Sequence, residues 1–232
     1  MKSYQENLLF ITDLQIPFEH HKALKFCVQV KKHFKITDEN VYNVGDEIDQ
    51  YFGGLWKKSP EARHTPNSEI AESINKLKRW YRAFPTMKLC ISNHGTRYWR
   101  KALEAEIPSQ MLRRYEEVIQ APLGWKWQKR WIIKAPKQQI LCEHGDDWGG
   151  RFPHVDAAMH NGMSTVIGQH HTKAGVHFLK TAMLDIWCAV GGSLIDFEQY
   201  AFEYARNAKL KPQIGVIVVV NGGKTPYFLP LE

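Results

Sequence analysis

The chain has 232 residues, 44% hydrophobic and 24% charged, with 31 Lys and Arg against 24 Asp and Glu, a net charge of +7. That balance excludes a disordered or collagen-like chain; the length suits one large domain or two small ones, and with no boundary visible a single domain over residues 1–232 is expected. The longest uninterrupted apolar run, Ile214 to Val220, is far below the roughly 20 residues that span a bilayer.

Apolar runs alternate with helical stretches, the signature of an α/β domain. Asn7 to Thr12 reads as a strand ending at Asp13. Ala23, Phe26, Cys27, Val30 and Phe34 recur at helical spacing, so a helix is expected over 21–34. Val41 to Val44 is a short strand ending at Gly45-Asp46, and residues 53–67 are loop-like. Thr65-Pro66 reads as an N-cap followed by Pro at the first helical position, with a helix over 69–83 stopped by Pro85. Met87 to Ser92 is a strand ending at Asn93-His94-Gly95, and helices are expected over 98–106 and 109–119. Trp131 to Lys134 and Gln138 to Cys142 are strands, the second ending at Glu143-His144-Gly145. A short helix over 155–160 precedes the strand Ser164 to Ile167, which ends at Gly168-Gln169-His170-His171. Strands at 176–179, 185–190 and 214–220, a turn at Asn221-Gly222-Gly223 and a strand near 227–229 complete the chain. Met1 to Glu6 has no apolar core of a secretory signal, and the four cysteines lack C-x-x-C spacing. Both features imply a cytoplasmic protein with reduced structural thiols.

The positive charge is regional. Eight Lys or Arg and no acid lie between Ser73 and Leu103, and five more with no acid between Val118 and Cys142. The remainder of the chain has 18 basic and 24 acidic residues, so the excess points to a local anionic partner. Within Gly124 to Trp131 three Trp interleave with Lys126, Lys129 and Arg130. Such a ribbon is either a nucleic-acid surface or a strand with its Trp packed inward, the second reading slightly ahead.

Five strand-like runs end in polar residues of metal-ligand type: Asp13 with Gln15, Asp46 with Asp49, Asn93 with His94, His144, and Gln169 with His171. In an open α/β sheet, residues beyond the carboxyl ends of strands converge on one site. Carboxylate, imidazole and amide oxygens together suit divalent metal ions, and two such ions clamp a phosphoryl group.

In order and spacing these motifs resemble the calcineurin-like metallophosphoesterases, whose pattern is D-x-H, G-D-x-x-D, G-N-H-D/E, a lone His, and G-H-x-H. The resemblance runs from Asp13 to His171, and Gly191-Gly192-Ser193-Leu194-Ile195-Asp196 is similar to the closing segment of phage- or prophage-encoded members. It implies two packed mixed β-sheets flanked by helices. It further implies that Asp13, Gln15, Asp46 and His171 hold one metal, and that Asp46 bridges to a second held with Asn93, His144 and Gln169. His94 takes the place of the family's catalytic His, assisting the leaving group after in-line attack by a metal-bridging hydroxide. Gln15 and Gln169 stand where the family has imidazoles, which favours Mn²⁺ or Mg²⁺ over Zn²⁺ or Fe. Ser92 and Gly95 stand where the third motif has Gly and an acid.

His170 is an alternative to Gln169, and His20 or His21 an alternative inward donor, although surface positions at a helix start suit them better. Asp49 reads as an acid that supports the ligands from behind or serves structure, rather than as a ligand itself. Arg97 and Arg100, three and six residues after His94, either grip a phosphate or form a solvated helix face. The expected activity is metal-dependent hydrolysis of a phosphodiester, of a nucleotide or nucleic acid, in a bacterial host cytoplasm if phage-encoded. The rival is a degenerate phosphoesterase fold that binds nucleic acid or protein without turnover.

Overall fold

The computed structural model describes residues 6–55 and 57–232. Met1 to Gln5, read above for a leader, lie outside them. Eleven strands form among the described residues: β1 (Leu8–Ile11), β2 (Val41–Asn43), β3 (Met87–Cys90), β4 (Trp125–Gln128), β5 (Arg130–Ala135), β6 (Gln138–Glu143), β7 (Ser164–Ile167), β8 (Gly175–Lys180), β9 (Asp185–Val190), β10 (Gly215–Val220) and β11 (Thr225–Pro230). Five α-helices accompany them: α1 (Ala23–His33), α2 (Pro66–Ala83), α3 (Arg97–Glu104), α4 (Tyr115–Val118) and α5 (Pro153–Asn161).

One sheet runs β11-β10-β1-β2-β3-β4 and the other β5-β6-β7-β9-β8. Both are mixed: β1 to β4 are mutually parallel, as are β6, β7 and β9, while β10, β11, β5 and β8 pair antiparallel. The period-2 alternation of a strand explains the layering. In β1, Leu8 and Phe10 face the second sheet, whereas Leu9 and Ile11 face the layer of α1 and α2. Ile217 and Val219 of β10 join the first core, and Val216 and Val218 the second. On the far side, Ile167, Ile186, Cys188 and Val190 lie beneath Ala157 and Ala158 of α5. Each central strand is therefore apolar on both faces and reads as a continuous run. Two packed mixed sheets flanked by helices are the architecture the motifs implied.

Thr65 caps α2, its side chain accepting from the Ser68 N–H in a reciprocal capping box, with Pro66 in the first turn. Ser73, buried in the same helix, donates to the Ile16 carbonyl at 3.1 Å and ties α2 to the loop after β1. The expected helix over 109–119 is not continuous. A 3-10 turn occupies Ser109–Met111, Leu112 and Arg114 are extended, and only Tyr115–Val118 is α-helical. Met111 is 77% exposed, so the segment has no sustained apolar stripe to bury as one helix.

The Trp-rich ribbon forms two strands. β4 is the last strand of the first sheet and β5 the first of the second, and Lys129 alone separates them. All three indoles donate internally: Trp125 to the Phe84 carbonyl, Trp127 to Glu47 Oε1 and Trp131 to the Leu89 carbonyl, at 2.8–2.9 Å. The rings pack inward, and Lys126, Lys129 and Arg130 face solvent. The cysteines are free thiols, all buried.

Candidate metal centre

The parallel strands β1, β2, β3, β6 and β7 deliver their following loops to one end of the sandwich. Asp13 and Asp46, fully buried, and His144, 2% exposed, meet there with a ligand atom of each within 4.8 Å of the others. Tight loops make this possible. Gly45 adopts φ +109°, and a Cβ there would come within 2.8 Å of His144 Nδ1. At Gly168 a Cβ would come within 2.6 Å of Asp13 Oδ1 and 2.5 Å of the Val44 side chain, so only glycine lets β7 approach Asp13. Gln15, Asp46 and Gln169 all sit at positive φ (46°, 55° and 62°) without being glycine, a clustering of strain that functional sites tolerate.

Asp46 lies at the middle. Its Oδ1 is 3.4 Å from His144 Nε2 and accepts from the His94 N–H at 3.3 Å; its Oδ2 accepts from Gln15 Nε2 at 3.4 Å and is 3.8 Å from His94 Nε2. Burial alone would raise its pKa. The imidazoles of His144 and His94 outweigh that and hold the carboxyl well below the usual range. Burial opposes charging of His144, but Asp46 and Asp13 overcome it and raise the imidazole to about 9. Its Nδ1–H donates to the Val44 carbonyl at 2.9 Å, which turns Nε2 into the site, the orientation a metal-ligating imidazole needs.

Asp13 Oδ2 accepts from the Gln169 N–H at 2.8 Å and is 3.0 Å from His171 Nε2. Its other oxygen, Oδ1, is buried with no hydrogen-bond partner, as is Asn93 Oδ1. Gln169 Oε1 accepts from His144 Nε2 at 2.9 Å and from Asn93 Nδ2 at 3.2 Å. Orphaned oxygens beside two carboxylates and an oriented imidazole are a donor set that fits a divalent cation.

His94 stands at the edge of this cluster. Its Nδ1 is 2.7 Å from the Asp49 carbonyl and 3.0 Å from Asp49 Oδ1, which fixes the proton on Nδ1 and points Nε2 toward Asp46. Burial lowers the His94 pKa, and Asp46 and Asp49 together more than reverse it. Asp49, read from sequence as a structural acid, therefore orients His94 directly. The sequence reading of Asp49 as a supporting acid agrees with this contact, although it did not name His94 as the partner. Ser92 accepts from both the Asp46 and Gly95 N–H groups at 3.0 and 3.1 Å, holding the second and third loops together.

Seven of the expected site residues thus converge: Asp13, Gln15, Asp46, Asn93, His144, Gln169 and His171, with His94 beside them. Arg97 spends its guanidinium on the Asp49 and Gln50 carbonyls at 2.8 and 3.0 Å. Arg100 donates to the Asn93 carbonyl at 3.0 Å and is exposed. His20 and His21 stack on one another, ring centroids 4.4 Å apart, and line a different cavity with Arg63, Glu72 and Lys76.

No protein-family model and no curated protein matches the chain. Among solved structures, a hypothetical protein from Pyrococcus horikoshii aligns over 97% of this chain and 88% of its own, at 10% identity and a TM-score of 0.52. The likeness is one of fold, two packed mixed β-sheets flanked by helices. An archaeal phosphodiesterase aligns over 97% of this chain and 99% of its own, with 10% identity and a TM-score of 0.48. Vacuolar protein sorting 29 from Cryptosporidium parvum aligns over 94% and 86%, with 10% identity and a TM-score of 0.47. At such identities the likeness concerns architecture. Among the described residues, no helix is long and apolar enough to cross a membrane.

Proposed function

We propose that this protein is a metal-dependent phosphoesterase of the calcineurin-like kind, acting on a phosphodiester of a nucleotide or nucleic acid. The observation that carries this reading is the position of Asp46, a buried carboxylate approached by donors from the loops of β1, β3 and β6. Asp13, Gln15, Asp46 and His171 would hold one divalent ion, and Asp46, Asn93, His144 and Gln169 a second. Such ions supply charge neutralisation on the phosphoryl oxygens and a water of lowered pKa. The oxygen-rich donor set favours Mn²⁺ or Mg²⁺.

The protein's own residues do the rest. His94 Nδ1–H is anchored on Asp49, so Nε2 is the free atom, able to hold a proton for the departing alkoxide. Asp46 and Asp49 favour the protonated ring, the form a general acid needs. Arg97 keeps Asp49 and Gln50 in position through their carbonyls, and Arg100, exposed and bonded to the Asn93 carbonyl, would be the residue to meet substrate phosphate.

The test is hydrolysis of bis-p-nitrophenyl phosphate while Mn²⁺ is titrated. Saturable metal-dependent turnover that a chelator abolishes is expected. Metal binding without turnover of this or any nucleotide diester would instead establish a binding module, a reading favoured by the two glutamines at imidazole positions.

A further inference from the structure

A small pocket of about 70 Å³ opens onto two residues of the metal centre, Gln15 and His94. That volume holds a few waters or one compact anion of phosphate size. Asp13, Asp46, Asn93 and His144 do not line it, so it lies to one side of the ion sites, against the His94 ring. Its wall is cationic: Lys58 and Arg97 line it, and Asp49 is the one carboxylate among its lining residues.

Lys58 is held in place without being neutralised. Its Nζ donates to the Tyr51 and Gly54 carbonyls, the second at 3.3 Å, and lies 4.5 Å from the centroid of the Tyr51 ring. These partners are all neutral, and no carboxylate among the described residues forms an ion pair with it. Burial and the nearby Arg97 pull its pKa below the ordinary lysine value, and Asp49 and Glu69 offset only part of that. Asp49 is already shared, its Oδ1 3.4 Å from Arg97 Nη1 and 3.0 Å from His94 Nδ1. One carboxylate thus serves a guanidinium and an imidazole, and the ammonium is left over.

Gly54 keeps the space between the two cations open. A Cβ there would come within 3.4 Å of Arg97 Nη1 and 3.5 Å of Lys58 Nζ, so both cations border one spot. Arg97 Nη1 is committed to the Asp49 and Gln50 carbonyls, which leaves Nη2 and Nε as open donors among the described residues. An anion entering beside His94 would meet two fixed positive charges and gain charge-assisted hydrogen bonds.

We infer that this pocket binds a second phosphate of the substrate, carried by the group that departs toward His94. The preferred diester is then one flanked by a further phosphate, as along an oligonucleotide chain. The inference rests on the phosphoesterase reading above and adds to it the chemistry by which the site selects its leaving group.

The experiment compares the deoxydinucleotide TpT with pTpT and TpTp, which carry an added phosphate at one end or the other, on the full chain with Mn²⁺. At least one phosphorylated form should exceed TpT roughly tenfold or more in kcat/KM, chiefly through KM, the size of one hydrogen bond to a charged group. Lys58→Met should bring that ratio close to unity, and Lys58→Arg should retain most of it. Gly54→Ala, which keeps both cations but crowds the space between them, should lower it. Equal kcat/KM for all three dinucleotides overturns the inference, and so does a ratio that survives Lys58→Met. A loss in Lys58→Met that strikes TpT as hard as its phosphorylated forms also overturns it, because Lys58 then serves the scissile phosphate. If bis-p-nitrophenyl phosphate is hydrolysed but the added phosphate brings nothing, the pocket assignment alone falls. If no diester is hydrolysed, the enzyme reading falls, and the same ratio is taken from dissociation constants by calorimetry. Tighter binding of a phosphorylated form that Lys58→Met removes then upholds the pocket, and equal binding overturns it.

Discussion

His94 holds its imidazole between two carboxylates that do different work: Asp49 fixes one ring nitrogen at 3.0 Å, and Asp46 lies 3.8 Å from the other. Removing the ring should leave the Asp13–Asp46–His144 cluster intact. His94→Ala is therefore expected to keep metal affinity, measured by calorimetry, and to lower kcat by roughly 10²–10⁴. Asp46→Asn removes charge from the centre of the cluster and should lose metal and activity together; wild-type metal content in that variant would refute the assignment. The glutamines give a second test. Gln15 Nε2 and Gln169 Oε1 already lie within hydrogen-bond distance of Asp46 and His144. If they belong to the two ion sites, Gln15→His and Gln169→His should each tighten Zn²⁺ binding relative to Mn²⁺, because imidazole is the softer donor. Unchanged affinity for both metals in both variants would place the glutamines outside the coordination sphere.

At the scale of elements, α5 covers the second sheet with an unusual contact at its start. His154, 1% exposed in the first turn, has Nε2 2.7 Å from Nδ1 of His177 on β8. Burial lowers its pKa to about 4, aided by the neighbouring His177, His170 and Lys173. A histidine whose folded-state pKa is depressed contributes stability that is present above the unfolded value near 6.5 and lost as pH falls toward 4. Denaturant titrations should show about 1–3 kcal/mol of stability disappearing across that window, after allowance for solvent screening. His154→Gln should flatten this part of the profile. Elements with two apolar faces were the ones legible in sequence: β7 and β9 were delimited to the residue, and β1 and β10 to within one residue at each end. The loops that bring Asp13, Asp46 and His144 together were legible too, because a strand end followed by Gly and a polar residue marks where backbone turns sharply. The 109–119 segment was not, since Arg113, Arg114 and the exposed Met111 face solvent on a surface without a helical stripe. Nor was the use of the Trp ribbon to join two sheets, because strand partners depend on pairings that no local pattern encodes.

Across the whole molecule, Lys126, Lys129 and Arg130 lie where the last strand of one sheet passes into the first of the other, and Lys129 lines the groove that contains His144. Neutralising phosphates along that side would release counterions, so affinity for single-stranded DNA or RNA should fall steeply between 50 and 200 mM salt, approximate limits chosen for the assay. A mononucleotide should show a much shallower slope. Reversing the three charges should weaken the polymer while leaving hydrolysis of bis-p-nitrophenyl phosphate nearly unchanged, and equal responses would reduce the basic side to a solvated face. The strand order has a different consequence, for synthesis. β1 lies between β2 and β10, Thr12 just after it donates to the Gly215 carbonyl, and Asp13 bridges to Ser193. The residues that clamp the loop of Asp13 are thus synthesised long after it. At about 5–20 residues per second, β1 waits on the order of ten to forty seconds for its second neighbour. Until then one of its edges is open and Asp13 has no fixed place, so a nascent chain stalled before Gly215 should neither acquire metal nor resist proteolysis near Asp13. The centre is closed by segments made long after the motifs that announce it.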